Sequence, residues 1–485
     1  VTLEKCLSFD PYDGLDENSR RHILGIQANL WTEYIDSFDK VQHMLLPRLS
    51  AMSEVAWSEK KDSYDAFLAR VRHAMVPVWQ YYGLVYAPYA FEKANFDEQA
   101  IRPYNLPEAL LTASGRKVRN AGQWEKDRRE EILSMFTRQM YGTLPGNDCV
   151  MTSECLEESC GALGGKAIRR QVELTFSRDG VSRKALLLIY LPNNAGGPVP
   201  CFLGFNFQGN QTVSMDPDVI SSQYSDWPRG NKSSRWDIGA IINSGYGLVT
   251  CHYYDFFYDR EDGDFEGKYP LSMLALWGKE SSADFASDEG RAISAWAWGY
   301  SRVLDWIISS EPRIDPAKVA VMGHSRLGKA ALWAGANDLR FALVISNCSG
   351  CCGAALSKRR IGEDLHRILR FRHWFCKDFD RYIDNEEALP FDQHQLLALV
   401  APRPLYVASA EGDIWADPKG EFLSVARASE VWALYGYKPL QASVLPSAGV
   451  PLYSGKTGYH VREGRHDVTC FDWKCFISFA DRFLK

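Results

Sequence analysis

The chain holds no apolar run near the ~20 residues that a membrane-crossing helix needs. It also carries no surplus of basic charge: Lys plus Arg number 55 against 61 Asp plus Glu, a formal charge of −6. The first absence leaves no membrane anchor to expect. The second argues against nucleic acid or an anionic bilayer as partner, since both call for a clustered basic surface. No internal repeat and no low-complexity tract is visible, which sets aside solenoids and disordered tails. Nor does Val1-Thr2-Leu3-Glu4-Lys5 lead into the apolar segment of a secretory signal, so the N-terminus does not reveal the compartment. What is present is a globular composition, 46% hydrophobic and 24% charged, over 485 residues, too long for one ordinary domain. Aromatics reach 13%, with 15 Trp, a surplus that serves cores and also suits flat sugar-binding platforms. The 12 cysteines in a chain of this length do not fix a redox compartment.

Two segments differ in character. Residues 1–94 read as mainly helical: Met44, Leu45, Leu49, Met52 and Val55 recur at helical spacing over Val41 to Trp57, and Phe67, Val71, Met75 and Val78 do so over Tyr64 to Tyr82. The stretch from Ala87 to Asn105 is irregular and broken by Pro88 and Pro103, which places a boundary there. Residues 95–485 open with a helical stretch, Lys126 to Tyr141. Apolar strands then alternate with helices: strands are expected at Gln171–Phe176, Ala185–Leu191, Pro200–Phe205, Gly247–His252, Val319–Met322, Phe341–Ser346, Leu405–Ser409 and Gln441–Leu445. Helices are expected over Gly290 to Ser309, from about Gly328, and from Asp472. This alternation predicts an α/β fold, a largely parallel sheet covered on both faces.

The most informative stretch is Gly323-His-Ser-Arg-Leu-Gly-Lys329, between a buried strand and a helix. Gly323 to Lys329 satisfies the nucleotide-binding pattern G-x-x-x-x-G-K, but Ala330 stands where that loop needs a hydroxyl for magnesium. The other reading is a nucleophile elbow that thrusts the Ser325 hydroxyl into a cleft, in the spacing G-x-S-x-x-G. A serine there is also a common helix N-cap. A weak alcohol needs an imidazole to take its proton and a carboxylate to orient that imidazole, and in such sheets the chain order is Ser, acid, His. The strand at Leu405–Ser409 runs into Glu411-Gly-Asp413, so the acid is expected at Asp413, with Glu411 as rival. Glu463-Gly-Arg-His466-Asp lies in a loop before the last helix, making His466 the expected base and His460 its competitor.

With Gly-His-Ser-Arg-Leu-Gly-Lys, Asp-Ile-Trp and the Gly-Arg-His-Asp loop in place, together with Tyr141-Gly-Thr-Leu-Pro145, residues 100–485 resemble the glucuronoyl esterases, carbohydrate esterase family 15, most closely their bacterial branch. The resemblance implies an α/β-hydrolase three-layer sandwich and a serine esterase that opens the ester between 4-O-methyl-glucuronic acid of glucuronoxylan and an alcohol, without cofactor. It implies Ser325 as nucleophile, His466 as base, and Arg326 holding the oxyanion beside its own backbone N–H. It also implies Lys329, Glu363 and Trp415 as sugar-binding positions. Many relatives carry a glutamate as acid in a Glu-Ser-Gly turn after the next strand; here that turn reads Asn347-Cys348-Ser349-Gly350, so the duty is expected to fall to Asp413. A deacetylase acting on decorated xylan, or a non-catalytic carbohydrate-binding protein on this scaffold, are the alternatives. The implied substrate points to a secreted or periplasmic monomer.

Residues 1–90 resemble something else. Gly25-Ile-Gln-Ala-Asn-Leu-Trp-Thr-Glu33, then Leu46-Pro-Arg-Leu49 and Ala56-Trp-Ser-Glu59, are similar to the C-terminal end of family 20 β-hexosaminidases, where Trp31 and Glu33 match pocket positions. The strands bearing that family's catalytic pair are not in this sequence, so no hexosaminidase activity is expected. A zinc site from Cys348-x-x-Cys351 and His373-x-x-Cys376 has ligand-like spacing, but free or disulfide-bonded thiols are the default. Cys149, Cys155 and Cys160 could brace a loop in an exported protein. The long stretches Gln208 to Trp236 and Tyr253 to Trp277, rich in aromatics, Gly and Asp, are expected to wall the cleft.

Overall fold

The computed structural model describes residues 3–31, 35, 38–59, 62–87, 94–259, 266–440 and 444–485. The chain divides into two compact units, Val1–Ala94 and Asn95–Lys485.

In the first unit the helical pattern forms shorter pieces than the periodicity alone suggests. Phe38–Leu45 and Arg48–Trp57 are separated by Pro47, which has no N–H for a continuous ladder. Tyr64–Ala74 is capped by the Ser63 hydroxyl, which accepts from the Ala66 N–H, and Val76–Tyr81 restarts with a proline in its first turn. Leu3, Leu7, Ala51, Phe67, Val71 and Trp79 form a small core.

The second unit is built on one ten-stranded sheet. Its strands are β1 (Val150–Gly161), β2 (Ala167–Arg178), β3 (Val181–Pro192), β4 (Val199–Gly204), β5 (Gly247–Cys251), β6 (Ile314–His324), β7 (Leu343–Asn347), β8 (Leu405–Ala410), β9 (Leu452–Ser454) and β10 (Thr457–Arg462). The order across the sheet is β1-β2-β3-β5-β4-β6-β7-β8-β10-β9. β5, β4, β6, β7, β8 and β10 run parallel. β1, β2 and β3 form an antiparallel meander on one flank, and β9 closes the other. The parallel strands are largely apolar and are buried over most of their length because helices cover both faces. One cover, Ala292–Ser310, is buried nearly all round and carries Trp296, Trp298 and Trp306 into the core. The helical run Ala121–Tyr141 contains two π-type turns, and Tyr141 at its end donates its hydroxyl to the Cys352 carbonyl at 2.7 Å. This is the α/β-hydrolase architecture.

Three expectations change. The helix after Ser325 begins at Arg326 rather than about Gly328. The last parallel strand is β10, not Gln441–Leu445: residues 441–443 lie outside the described residues, and 444–445 belong to no strand. β1 and β9 have no counterpart in the expected strands. Of the two loop segments, Gln208 to Trp236 is tied to β2 by Arg169, which binds Asp216 and Asp218, and residues 260–265 of the second lie outside the described residues.

Candidate active site

Four of the parallel strands end at one edge, and each delivers a residue there: β6 gives Ser325, β7 gives Cys348, β8 gives Asp413, and β10 leads to His466. Crevices beyond the carboxyl ends of parallel strands are the usual ligand sites of open α/β sheets. Ser325 sits at φ +56°, ψ −129°, a backbone state rare for a residue with a side chain, directly between β6 and the helix Arg326–Asn337. The Asn347 carbonyl accepts its N–H at 2.9 Å, and its own carbonyl accepts from Gly328 and Lys329. The corner is tight enough that a Cβ on Gly323 would lie 2.0 Å from the Leu327 carbonyl oxygen, so only glycine fits. Those bonds also dispose of the nucleotide-loop alternative. The Ser325, Gly328 and Lys329 amides are already engaged, and the Lys329 ammonium is buried, donating to the Ser349 carbonyl at 2.5 Å.

His466 Nδ1 lies 2.5 Å from Asp413 Oδ2. Asp413 is buried while the His466 side chain is 42% exposed, so the carboxylate is fixed and the ring faces the opening. The imidazole ring stands 4.5 Å, centroid to centroid, from that of His324, the residue before Ser325. The two rivals lie elsewhere. Glu411 is exposed. His460 is fully buried, with Nε2 2.9 Å from Asp472 Oδ1 and Nδ1 2.9 Å from the Tyr406 hydroxyl. Both of its nitrogens are spent in the core.

Arg326 is held by a residue that the spacing did not reveal. Asp259, 2% exposed, accepts from Arg326 Nη1 at 2.7 Å, His373 Nε2 at 2.6 Å and Trp374 Nε1 at 3.1 Å. Burial alone would raise the Asp259 carboxyl, but the His373 bond and the Arg326 charge more than offset this and hold it below the usual range. The Arg326 guanidinium also lies over the Trp374 ring at 4.5 Å. Asp259 belongs to the second of the long segments, which therefore reaches the site. Glu363 and Trp415 are joined by the bond from the Glu363 N–H to the Trp415 carbonyl at 2.9 Å, and Gly362 at φ +63° lets the two loops meet: a Cβ there would lie 2.4 Å from that same oxygen. Burial raises the Glu363 carboxyl, against the pull of Lys329, Arg370, Trp415 and Arg326. Glu363 thus lies within electrostatic reach of Lys329 and Arg326, and its backbone meets that of Trp415.

Three further buried residues support this edge. His324 Nδ1 lies 2.6 Å from Asn347 Oδ1, and burial with the neighbouring His466 keeps its imidazole neutral, well below the usual pKa. Glu421 accepts from Gly350 N–H at 2.9 Å, and from the Ser409 hydroxyl at 2.5 Å. Arg462 donates to the carbonyls of Glu463 (3.0 Å), Arg465 (3.0 Å) and Asp467 (2.5 Å) and to Asp472 Oδ2 at 2.7 Å, wrapping the loop that carries His466. His324 stands inside the elbow motif and Arg462 just before the loop of His466, but their roles depend on Asn347 and Asp472, which no short motif ties to them.

Among the described residues, the only group of three or more metal-ligating side chains is Cys348, Asp413 and His466, whose ligand atoms all lie within 4.8 Å of one another. The alternative zinc set of Cys348/Cys351 and His373/Cys376 does not form: His373 is bound to Asp259, and Cys351 lies against Cys352 with sulfurs 3.8 Å apart. All twelve cysteines, Cys149, Cys155 and Cys160 included, are free thiols. In the first unit Trp31 is exposed, and Glu33 lies outside the described residues. Among the described residues no helix is long and apolar enough to cross a membrane.

The family model "Glucuronyl esterase, fungi" matches residues 283–436, and "Glycosyl hydrolase family 20, catalytic domain" matches residues 1–60. A carbohydrate esterase of an unknown prokaryotic organism is 42% identical over 411 residues, 80% of this chain and 92% of its own. The 4-O-methyl-glucuronoyl methylesterase 1 of Wolfiporia cocos is 34% identical over 399 residues, 78% of this chain and 80% of its own. Among solved structures, a glucuronoyl esterase from Solibacter usitatus superposes with a TM-score of 0.75 at 40% identity, covering 80% of this chain and all of that one.

Proposed function

The chain belongs to the glucuronoyl esterases of carbohydrate esterase family 15 and is a carboxylic ester hydrolase; from that premise we propose that Ser325, His466 and Asp413 are its catalytic triad. The substrate is the ester between (4-O-methyl-)glucuronic acid of glucuronoxylan and an alcohol, including lignin–carbohydrate esters. A substrate of that kind places the enzyme outside the cytoplasm, secreted or periplasmic.

The observation that carries the reading is the 2.5 Å contact between His466 Nδ1 and the buried Asp413 carboxylate, with the His466 ring 4.5 Å from that of His324, the residue before a serine held at φ +56°. A carboxylate on Nδ1 fixes the tautomer whose Nε2 is an acceptor, the state a general base requires. His466 takes the Ser325 proton as the hydroxyl attacks the ester carbonyl and returns it to the departing alcohol; water then repeats the sequence on the acyl-enzyme. The negative charge of each tetrahedral intermediate falls beside Arg326, whose planar group is pinned by Asp259 and Trp374. It therefore needs little reorganisation as charge develops, and one such donor is worth roughly 10²–10³ in rate. Lys329 spends one N–H on Ser349 and retains donors for ring hydroxyls, with Glu363 as the opposing acceptor and the Trp415 ring as a face for the sugar.

Hydrolysis of a benzyl glucuronate ester by the wild type, Ser325→Ala and Asp413→Asn tests the triad. The serine variant loses nearly all turnover. The asparagine variant loses much, though less, because its amide favours the wrong tautomer. An unimpaired Asp413→Asn moves the acid elsewhere. Faster turnover of an acetylated sugar than of methyl glucuronate would make the protein a deacetylase instead.

A further inference from the structure

The thiol of Cys348 enters the same edge from the end of β7, at a residue forced to φ +44°, 1% exposed. The Ala408 carbonyl accepts its backbone N–H at 2.7 Å, which fixes where its Cβ begins. It shares this edge with Asp413 and His466, one ligand atom from each lying within 4.8 Å of the others. A thiol, a carboxylate and an imidazole from three different strand ends form the donor set that thiophilic divalent cations select. Zinc-type ligand distances of about 2.0–2.3 Å bring donor atoms somewhat closer together than 4.8 Å, and the half-exposed His466 ring is the member free to make that adjustment.

We propose that Cys348, Asp413 and His466 bind a thiophilic divalent cation, zinc or cadmium, and that the bound cation switches the esterase off. The inhibitory part rests on the triad reading given above; the binding part does not. Asp413 meets His466 at Nδ1, so the cation that joins them replaces the proton on Nδ1. The Cys348 thiol proton and the Nδ1 proton pass to solvent, and a metal–sulfur and a metal–nitrogen bond form, with no change of oxidation state. If a neutral imidazole is metallated on Nδ1, its remaining ring proton sits on Nε2. That nitrogen then has no lone pair for the Ser325 proton, and catalysis stops while the sugar pocket of Lys329, Glu363 and Trp415 is untouched. Loss of kcat at constant KM is the expected pattern. The protein loses a catalytic acid at Cys348 relative to many family members and gains a soft ligand in its place.

The test is a cadmium titration of the wild type, Cys348→Ala, Cys348→Ser and Asp413→Asn, read in two ways. The sulfur-to-cadmium charge-transfer absorption in the ultraviolet reports binding, with the exposed Cys155, Cys160 and Cys470 common to all four proteins. Benzyl glucuronate turnover, followed by reversal with a chelator, reports inhibition. A site at Cys348 gives the wild type one more absorbing equivalent than either cysteine variant. It also gives at least about a tenfold lower inhibitory concentration, since even outer contacts of metal ligands are worth 10–100-fold. Equal absorption and equal sensitivity in wild type and Cys348→Ser overturn the proposal. If the wild type turns over no ester at all, the triad reading falls while the absorption difference still decides the site. The serine variant keeps the volume of the thiol, so misfolding of the alanine variant does not blunt the result.

Discussion

Glu421 is fully buried between the ends of β7 and β8, a costly place for a carboxylate. Burial pushes its pKa up to about 8. The bonds from Ser409 and Gly350 pull against that shift, and the nearby Asp413 charge adds to it. The unfolded value is about 4.3, so folding takes up a proton between those two limits. The stability Glu421 contributes is complete below the unfolded pKa and is lost as pH rises through about 8. Glu421→Gln keeps an acceptor for the Gly350 N–H and supplies an N–H to the Ser409 oxygen, which also accepts from the Tyr459 hydroxyl at 2.9 Å. The glutamine variant is therefore expected to melt at least a few degrees above the wild type near pH 9 and to lose that advantage near pH 5. Thermal unfolding across that range checks it, and parallel curves would refute it. At this scale the sequence pointed to the proposed triad, because an elbow spacing and a chain order mark Ser325, Asp413 and His466. It hid Glu421, His324 and Asp259, because a buried polar group is recognised by what surrounds it. Asp259 reaches Arg326 across 67 positions.

The strands β2 to β8 were legible within a few residues: β2 alternates buried and half-buried positions, while β4, β5, β7 and β8, covered on both faces, are apolar almost throughout. Three escaped: β9 is only three residues long, and the other two break these patterns in opposite ways. β1 lies at a sheet edge and is exposed along most of its length, so no face of it had to be apolar. β10, Thr-Gly-Tyr-His-Val-Arg, is buried along its whole length yet carries His460 and Arg462. Those two are tolerable inside only because Asp472 accepts from both. Asp472 in turn caps the final helix, Cys470–Leu484, through a box with Thr469. The strand, the loop of His466 and the last helix are one hydrogen-bonded unit centred on Arg462. A lysine at that position offers a single point of attachment where the guanidinium serves three carbonyls and a carboxylate. Arg462→Lys is expected to lower kcat about tenfold or more with KM little changed, because misplacing a catalytic group by an ångström costs about 10²-fold. The assay belongs well below the variant's melting temperature. A rise in KM at constant kcat would show that Arg462 shapes the sugar pocket instead of the base.

At the scale of the whole molecule the two units divide the labour unevenly. Every residue of the candidate site lies in Asn95–Lys485, and its first turn is already part of the site loops: the Asn95 carbonyl accepts from Gly362 N–H at 2.8 Å. Glu98 bridges Arg359 and Lys419. The first unit matches a family 20 glycoside hydrolase catalytic domain over residues 1–60 alone, and its small core leaves Trp57 89% exposed. A domain that owns its core and its site can act alone. Residues 95–485 expressed alone are therefore expected to hydrolyse benzyl glucuronate with kcat/KM within about twofold of the full chain. The full chain is expected to leave an aryl N-acetylglucosaminide intact, since among the described residues the first unit has no strand to carry a catalytic acid pair. The cut must fall before Asn95, because removing Asn95 to Glu98 strips the supports of Gly362, Arg359 and Lys419 from the loops that hold Glu363 and Trp415. A start at residue 101 should therefore raise KM for the glucuronate ester. If instead the start at residue 95 loses more than tenfold in kcat/KM while melting as the full chain does, the first unit takes part in catalysis, and the division of labour argued here is wrong.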